Sequence, residues 1–269
     1  PYAMRARIAI FKSQQPVALR DLVLSNKPSE MLLASPKGTV PVIVLGNCSA
    51  SASELSNNNA DKSINAVQDV VIDESRDIML WALRRGDPHN LLHTQDPLAL
   101  ERMLELIKLN DTQFKPVLEK YKFYARTKDM AQIYYQKACE EFIKQFEAKL
   151  TTHKYLIGDE KSLADYALLP FIRQFARVDK HWYLQSEYTH VREWLNEFLH
   201  APIFTKVMAK FDLYMDCGVS PKWPITGIPA FKIRFTDSFI SLPPSSLTAC
   251  APLSFIILIA ERNASLGSL

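Results

Sequence analysis

Thr39-Val40-Pro41-Val42-Ile43-Val44-Leu45 and Val70-Val71-Ile72-Asp73-Glu74-Ser75-Arg76 are the two stretches on which the fold turns. Both are short β-branched runs, the composition of strands. The first carries a proline inside its apolar run. Proline has no N–H to give a ladder, so it is confined to strand starts, edges and bulges. A strand-start proline with an ordinary trans bond is the expectation from local sequence, because few X–Pro bonds are cis. The alternative is a cis bond between Val40 and Pro41, with a bend that leaves the backbone of Val40 to an extended peptide ligand.

The second stretch ends in an acid and a hydroxyl just where a helical pattern, Asp77-Ile78-Met79-Leu80-Trp81-Ala82-Leu83, begins. Ser75 is the expected N-cap, its oxygen accepting from the N–H of Asp77 or Ile78. The remaining free N–H groups and the positive helix end suit a carboxylate. Glu74 suits an ammonium. Those two groups side by side describe the head of an amino acid. A plain cap beside a solvated glutamate is the other reading.

Taken together, Val-Pro on one strand and Glu-Ser after the next resemble the glutathione site of the glutathione transferase family. Lys27-Pro28-Ser29-Glu30-Met31-Leu32 and Ser35-Pro36-Lys37-Gly38-Thr39 upstream agree, as does the opening Pro1-Tyr2-Ala3-Met4-Arg5-Ala6-Arg7-Ile8-Ala9. The likeness covers residues 1–219 with one interruption and is strongest to the cysteine-type, omega-like and bacterial branch. It implies an N-terminal thioredoxin-like domain over 1–86 and a linker over 87–97. An all-helical domain follows over 98–219. It also implies a bound glutathione. Val40, beside Pro41, would pair its backbone with the cysteinyl part. Glu74 and Ser75 would hold the γ-glutamyl head, and Lys27 a carboxylate. The residue that meets the thiol, a cysteine or serine, would stand immediately before Pro1, outside this sequence, so no catalytic residue is assigned. Tyr2 does not match the family's catalytic tyrosine and is read as structural. Tyr121, Phe123 and Tyr124 mark the expected pocket for a small apolar electrophile or a disulfide. The implied activity is thiolate transfer or thiol reduction; a non-catalytic glutathione-binding or interaction protein is the alternative. A homodimer is expected.

The order of elements follows from the patterns. Residues 1–13 read as a helix, with Arg5 and Arg7 as what polar face it has. Strands are expected over 17–24, 40–45 and 70–72, and helices over 29–34 and 76–84, ending near Gly86. This is the thioredoxin-like order without its first strand, which in the family lies inside the sheet. Without that strand, buried backbone groups of 17–24 go unpaired. The expectation is therefore an incomplete domain belonging to a longer chain, unless another segment fills the gap. Residues 47–69, with Ser49-Ala50-Ser51-Ala52-Ser53 and Asn57-Asn58-Asn59, read as an insertion.

Beyond the linker, Leu100, Met103, Leu104, Ile107, Phe114, Val117, Leu118 and Tyr121 keep one helical stripe. Met130, Ile133, Tyr134, Ala138, Phe142, Phe146 and Leu150 keep a second. Both are expected in the core. Ser162-Leu163-Ala164-Asp165 is a capping box opening an apolar, buried central helix over 166–175. Residues 220–269 are a tail of uncertain structure.

Composition excludes several classes. Thirty-two basic residues against 29 acidic ones, a net charge of +3, argue against nucleic acid. Cys48, Cys139, Cys217 and Cys250 are scattered and form no C-x-x-C, so neither a zinc site nor a redox pair is expected. His89 and His93 follow Pro88 and are read as solvated loop residues, not metal ligands. No secretory leader pattern opens the chain, so the Asn263-Ala264-Ser265 sequon carries no weight. The longest apolar run, 255–260, is too short for a membrane span. A cytoplasmic protein with no membrane partner is the expectation.

Overall fold

The computed structural model describes residues 1–45, 70–224 and 255–261. The chain divides into two compact units: residues 16–73 with 212–269, and residues 1–15 with 74–211. The insertion expected over 47–69 lies wholly outside the described residues, as does most of the tail.

The first unit is a sheet with strands β1 (Val17–Val23), β2 (Val42–Leu45), β3 (Val70–Ile72), β4 (Lys222–Trp223) and β5 (Phe255–Glu261), in the order β3-β2-β5-β1-β4. Strand β5 runs parallel to β1, from Ala18 opposite Ile256 to Val23 opposite Glu261. It runs antiparallel to β2, from Val42 opposite Leu258 to Leu45 opposite Phe255. Strand β5 therefore lies between β2 and β1, where the sequence reading expected a gap, and the expectation of an incomplete sheet is corrected. A segment from the tail supplies the partners that the backbone groups of β1 and β2 require. Apolar alternation could not foretell this, because a central strand reads as a continuous apolar run. A short helix, residues 29–34, lies between β1 and β2 in the chain. Its Met31 packs with Leu22 and Val42, and Val40, Val44 and Val71 pack against them.

The second unit is helical. It begins with α1 (Tyr2–Ser13), and α2 (Ser29–Ala34) belongs to the sheet unit just described. Helix α3 (Ser75–Arg85) packs on α1. Helices α4 (Ala99–Leu109) and α5 (Lys115–Thr127) are joined by a π-helical turn, Asn110–Phe114. Then come α6 (Ala131–Thr152), α7 (Leu163–Ala176), α8 (Lys180–Gln185), α9 (Thr189–His200) and α10 (Pro202–Val207). The α4–α5 stripe is confirmed at Met103, Ile107, Phe114, Leu118 and Tyr121, all buried. The α6 stripe is confirmed only in its second half. Phe146 and Leu150 are buried, but Met130, Ile133 and Tyr134 face water.

The capping box folds as read. Asp165 accepts hydrogen bonds from the Ser162 N–H at 2.9 Å and the Ser162 hydroxyl at 2.6 Å. It also accepts from the Leu156 N–H at 3.1 Å and the Trp194 indole N–H at 2.9 Å. Four donors converge on one buried carboxyl, so α7 is anchored to the 156 loop and to α9. Burial pushes this carboxyl up, and the four donors pull against that shift. Helix α9 has no cap of its own; Glu147 of α6 accepts from its His190 and Val191 N–H groups at 3.0 and 2.9 Å.

Candidate functional site

On the sheet unit, the loop before β2 is built by a glycine. Gly38 has φ +62°, the left-handed region that favours glycine, and its N–H donates to the Ser35 carbonyl at 2.9 Å. A Cβ there would lie 3.7 Å from Lys27 Nζ and 3.4 Å from Leu32, so Lys27 reaches over this loop. The Val40–Pro41 bond is cis, which corrects the trans expectation from local sequence. Pro41 is buried and Val40 half-buried. The ladder begins at Val42, so the backbone of Val40 lies outside it. The buried Ser35 hydroxyl donates to Asp73 Oδ2 at 2.7 Å, tying this loop to the end of β3. Nothing in local periodicity marked that bond, since its partners are far apart in sequence.

On the helical unit, Glu74 has extended backbone and occupies the N-cap position of α3. Its carbonyl accepts from the Ile78 N–H at 2.9 Å. Ser75 is the first helical residue, buried, and makes no capping bond. The expected Ser75 cap is therefore corrected by one residue. The helix starts at Ser75, so the flanking half-helical position falls to the acid. The acid and the helix start stay adjacent, as the sequence implied.

The opening of α1 is more polar inside than its sequence suggested. Arg5 is 0% exposed, not part of a solvated face, and Arg7 is buried as well. Arg5 makes a two-pronged ion pair with Asp111, both contacts at 2.8 Å, and its Nε donates to the Ala167 carbonyl at 2.7 Å. Its guanidinium lies 4.4 Å from the Phe171 ring centroid. Asn110 Nδ2 donates to the same Asp111 at 2.8 Å. The π-helical turn is what carries Asp111 on its helix, and such turns recur at functional sites. Tyr2 packs edge-on against Phe171 at 5.2 Å. Burial, then the charge of Asp111, push its phenol up, which suits a packing residue.

The expected acceptor aromatics do not converge. Tyr121 is buried against Phe175 at 5.9 Å. Tyr124 stacks flat on Tyr135 at 5.1 Å, and Phe123 is exposed. Consecutive helical positions point about 100° apart, so residues 121, 123 and 124 cannot share one wall. His93 Nε2 lies 3.1 Å from the Lys161 carbonyl. Among the described residues no cluster of His, Cys, Asp or Glu suits a metal ion. No described helix is long and apolar enough to cross a membrane.

Comparison with known proteins agrees with this architecture. Residues 1–88 match the glutathione S-transferase N-terminal domain, and residues 110–202 match the glutathione S-transferase C-terminal domain. No curated protein matches by sequence. Among solved structures, a glutathione S-transferase-I bound with lactoylglutathione is 20% identical, with TM-score 0.58 over 77% of this chain and 93% of that one. Glutathione transferase F2 from Populus trichocarpa is 19% identical, with TM-score 0.58 over 77% and 93%. A family member from Pseudomonas fluorescens with two glutathione bound is 15% identical, with TM-score 0.60 over 76% and 86%. At these identities the structures speak to the fold alone: a thioredoxin-like domain followed by a helical one. With both domain models matched in order along most of its length, the chain belongs to the glutathione S-transferase family.

Proposed function

We propose that this protein binds glutathione and delivers its thiolate to a small apolar electrophile or a mixed disulfide, in the manner of the cysteine-type branch. Val40 pairs its backbone with the cysteinyl part of the tripeptide, beside Pro41. Lys27 meets the glycine carboxylate. Glu74 receives the γ-glutamyl ammonium, and the Ser75 hydroxyl, with the first-turn N–H groups of α3, receives the γ-glutamyl carboxylate. Glutathione is a co-substrate, and the protein acts as a homodimer in the cytoplasm. The observation that supports this best is the acid at the N-cap position of α3, directly before free first-turn N–H groups, in a chain matched by both family domains.

Helix N–H groups and the dipole favour thiolate over thiol. The side chain that meets the thiol belongs immediately before Pro1 by resemblance. The second reading is a glutathione-binding member of the same fold without turnover.

Calorimetric titration with glutathione tests the binding. Wild-type protein should bind, and Glu74→Gln or Ser75→Ala should weaken binding about tenfold or more, the loss of one charge-assisted hydrogen bond. Equal affinity in both variants sinks the site. Binding without turnover of either an aromatic electrophile or a mixed disulfide selects the second reading.

A further inference from the structure

The turn between α5 and α6 carries an apolar surface that the glutathione reading does not use. Met130 is 83% exposed, Tyr134 69%, Phe123 59% and Ile133 52%. Met130, Ile133 and Tyr134 stand at i, i+3 and i+4, one face at the start of α6. It is not the face that carries Cys139, Ile143 and Phe146 into the core. The tip is braced by its own rings. Tyr124 and Tyr135 stack with planes 6° apart, and Phe123 and Tyr134 pack edge-on against them at 5.2 and 5.0 Å. Asp129 caps the turn, accepting from the Ala131 N–H at 2.8 Å.

The charge around this patch is predominantly positive. Residues 115–137 hold six basic and two acidic side chains. Of the acids, Asp129 is the cap and Glu119 is paired with Lys115 and Lys122. Lys120, Arg126, Lys128 and Lys137 are exposed. A second copy of this chain would set cations against cations, so self-association through the tip is disfavoured. Stacked bases need free ring faces, and the Tyr124–Tyr135 pair spends its inner faces on itself. Met and Ile at the centre, aromatics beside them and Lys/Arg around them are instead the chemistry of a bilayer interface. A turn between two helix ends also presents a convex tip, which inserts into a fluid surface without a complementary groove.

We propose that the α5–α6 tip is a peripheral contact for an anionic bilayer. Met130, Ile133, Phe123 and Tyr134 enter the headgroup–acyl boundary, and the four cations lie at the phosphate level. This revises the expectation, drawn from the lack of a long apolar run, that no membrane is engaged; it adds surface attachment, not a span.

Co-sedimentation of the full chain with vesicles tests it. The protein should pellet with vesicles of phosphatidylcholine mixed with phosphatidylserine, weakly with phosphatidylcholine alone, and be released by salt. The double substitution Met130→Asp, Ile133→Asp should weaken binding at least about tenfold, because two apolar side chains no longer enter the acyl boundary. Lys128→Glu with Lys137→Glu should do the same. Both positions are exposed, so melting temperature and glutathione affinity should not move. The proposal is overturned if wild-type protein ignores the mixed vesicles, if either double variant still binds them equally, or if the tip substitutions instead abolish dimerisation or single-stranded DNA binding while leaving vesicle binding intact.

Discussion

Arg5 and Asp111 meet across 106 residues of chain, guanidinium to carboxylate, with both contacts at 2.8 Å. The arginine is fully buried and the aspartate is partly exposed. Such a pair contributes little net stability over an apolar substitute, yet breaking it strands a charge. Asp111→Ala should destabilise the protein by about 3–5 kcal/mol, measured by urea unfolding. Arg5→Met combined with Asp111→Leu should recover much of that loss. A neutral Asp111→Ala would show that Arg5 finds water.

Asp165 is the second site where a buried acid organises the fold. Ser162→Ala removes one donor and should cost about 1 kcal/mol. Asp165→Ala leaves the Trp194 indole and two backbone N–H groups without their acceptor. At about 1–3 kcal/mol for each buried group, the loss should exceed that of Ser162→Ala several-fold in denaturant midpoint. Equal losses would mean that the carboxyl is replaced by water.

Glu147 makes stability depend on acid. Burial works against its ionisation, but the Val191 and His190 N–H groups, with the His190 ring at 2.7 Å, hold its carboxyl below the usual value of 4.5. A depressed carboxyl contributes stability that is present above the unfolded value and is lost as pH falls through the folded one. The melting temperature should therefore drop below about pH 4.5, the reference value of the group. Glu147→Gln should flatten that drop and cost on the order of 1 kcal/mol at neutral pH, or about 2–4 °C. An unchanged acid limb in the variant would assign the titration elsewhere.

Strand β5 is testable at one residue. Ile257 stands opposite Leu19 on one side and Ile43 on the other. Proline there removes a ladder donor from a strand paired on both edges, which a central strand does not tolerate. Ile257→Pro should speed hydrogen exchange across β1 and β2, but not at the Leu19 amide, which donates to the Pro221 carbonyl at 2.9 Å. Retained protection would show that another segment completes the sheet.

The sequence by itself determined what is local. The β-branched runs placed strands to within two residues, and the Ser162–Asp165 spacing marked the cap of α7. Val-Pro and Glu-Ser marked the family, because turn, strand and cap chemistry acts between near neighbours. Tertiary structure decided which faces meet protein and which meet water. Arg5 went inside because Asp111 and the Ala167 carbonyl are there to meet it. Met130, Ile133 and Tyr134 have helical spacing like any core stripe, yet face outward, because periodicity gives a face without its partner. Tyr121 turned into the core while Phe123 turned out. The centre of the sheet came from the far end of the chain, since backbone pairing is satisfied by any extended segment in reach, and its identity is not encoded in the strands that need it.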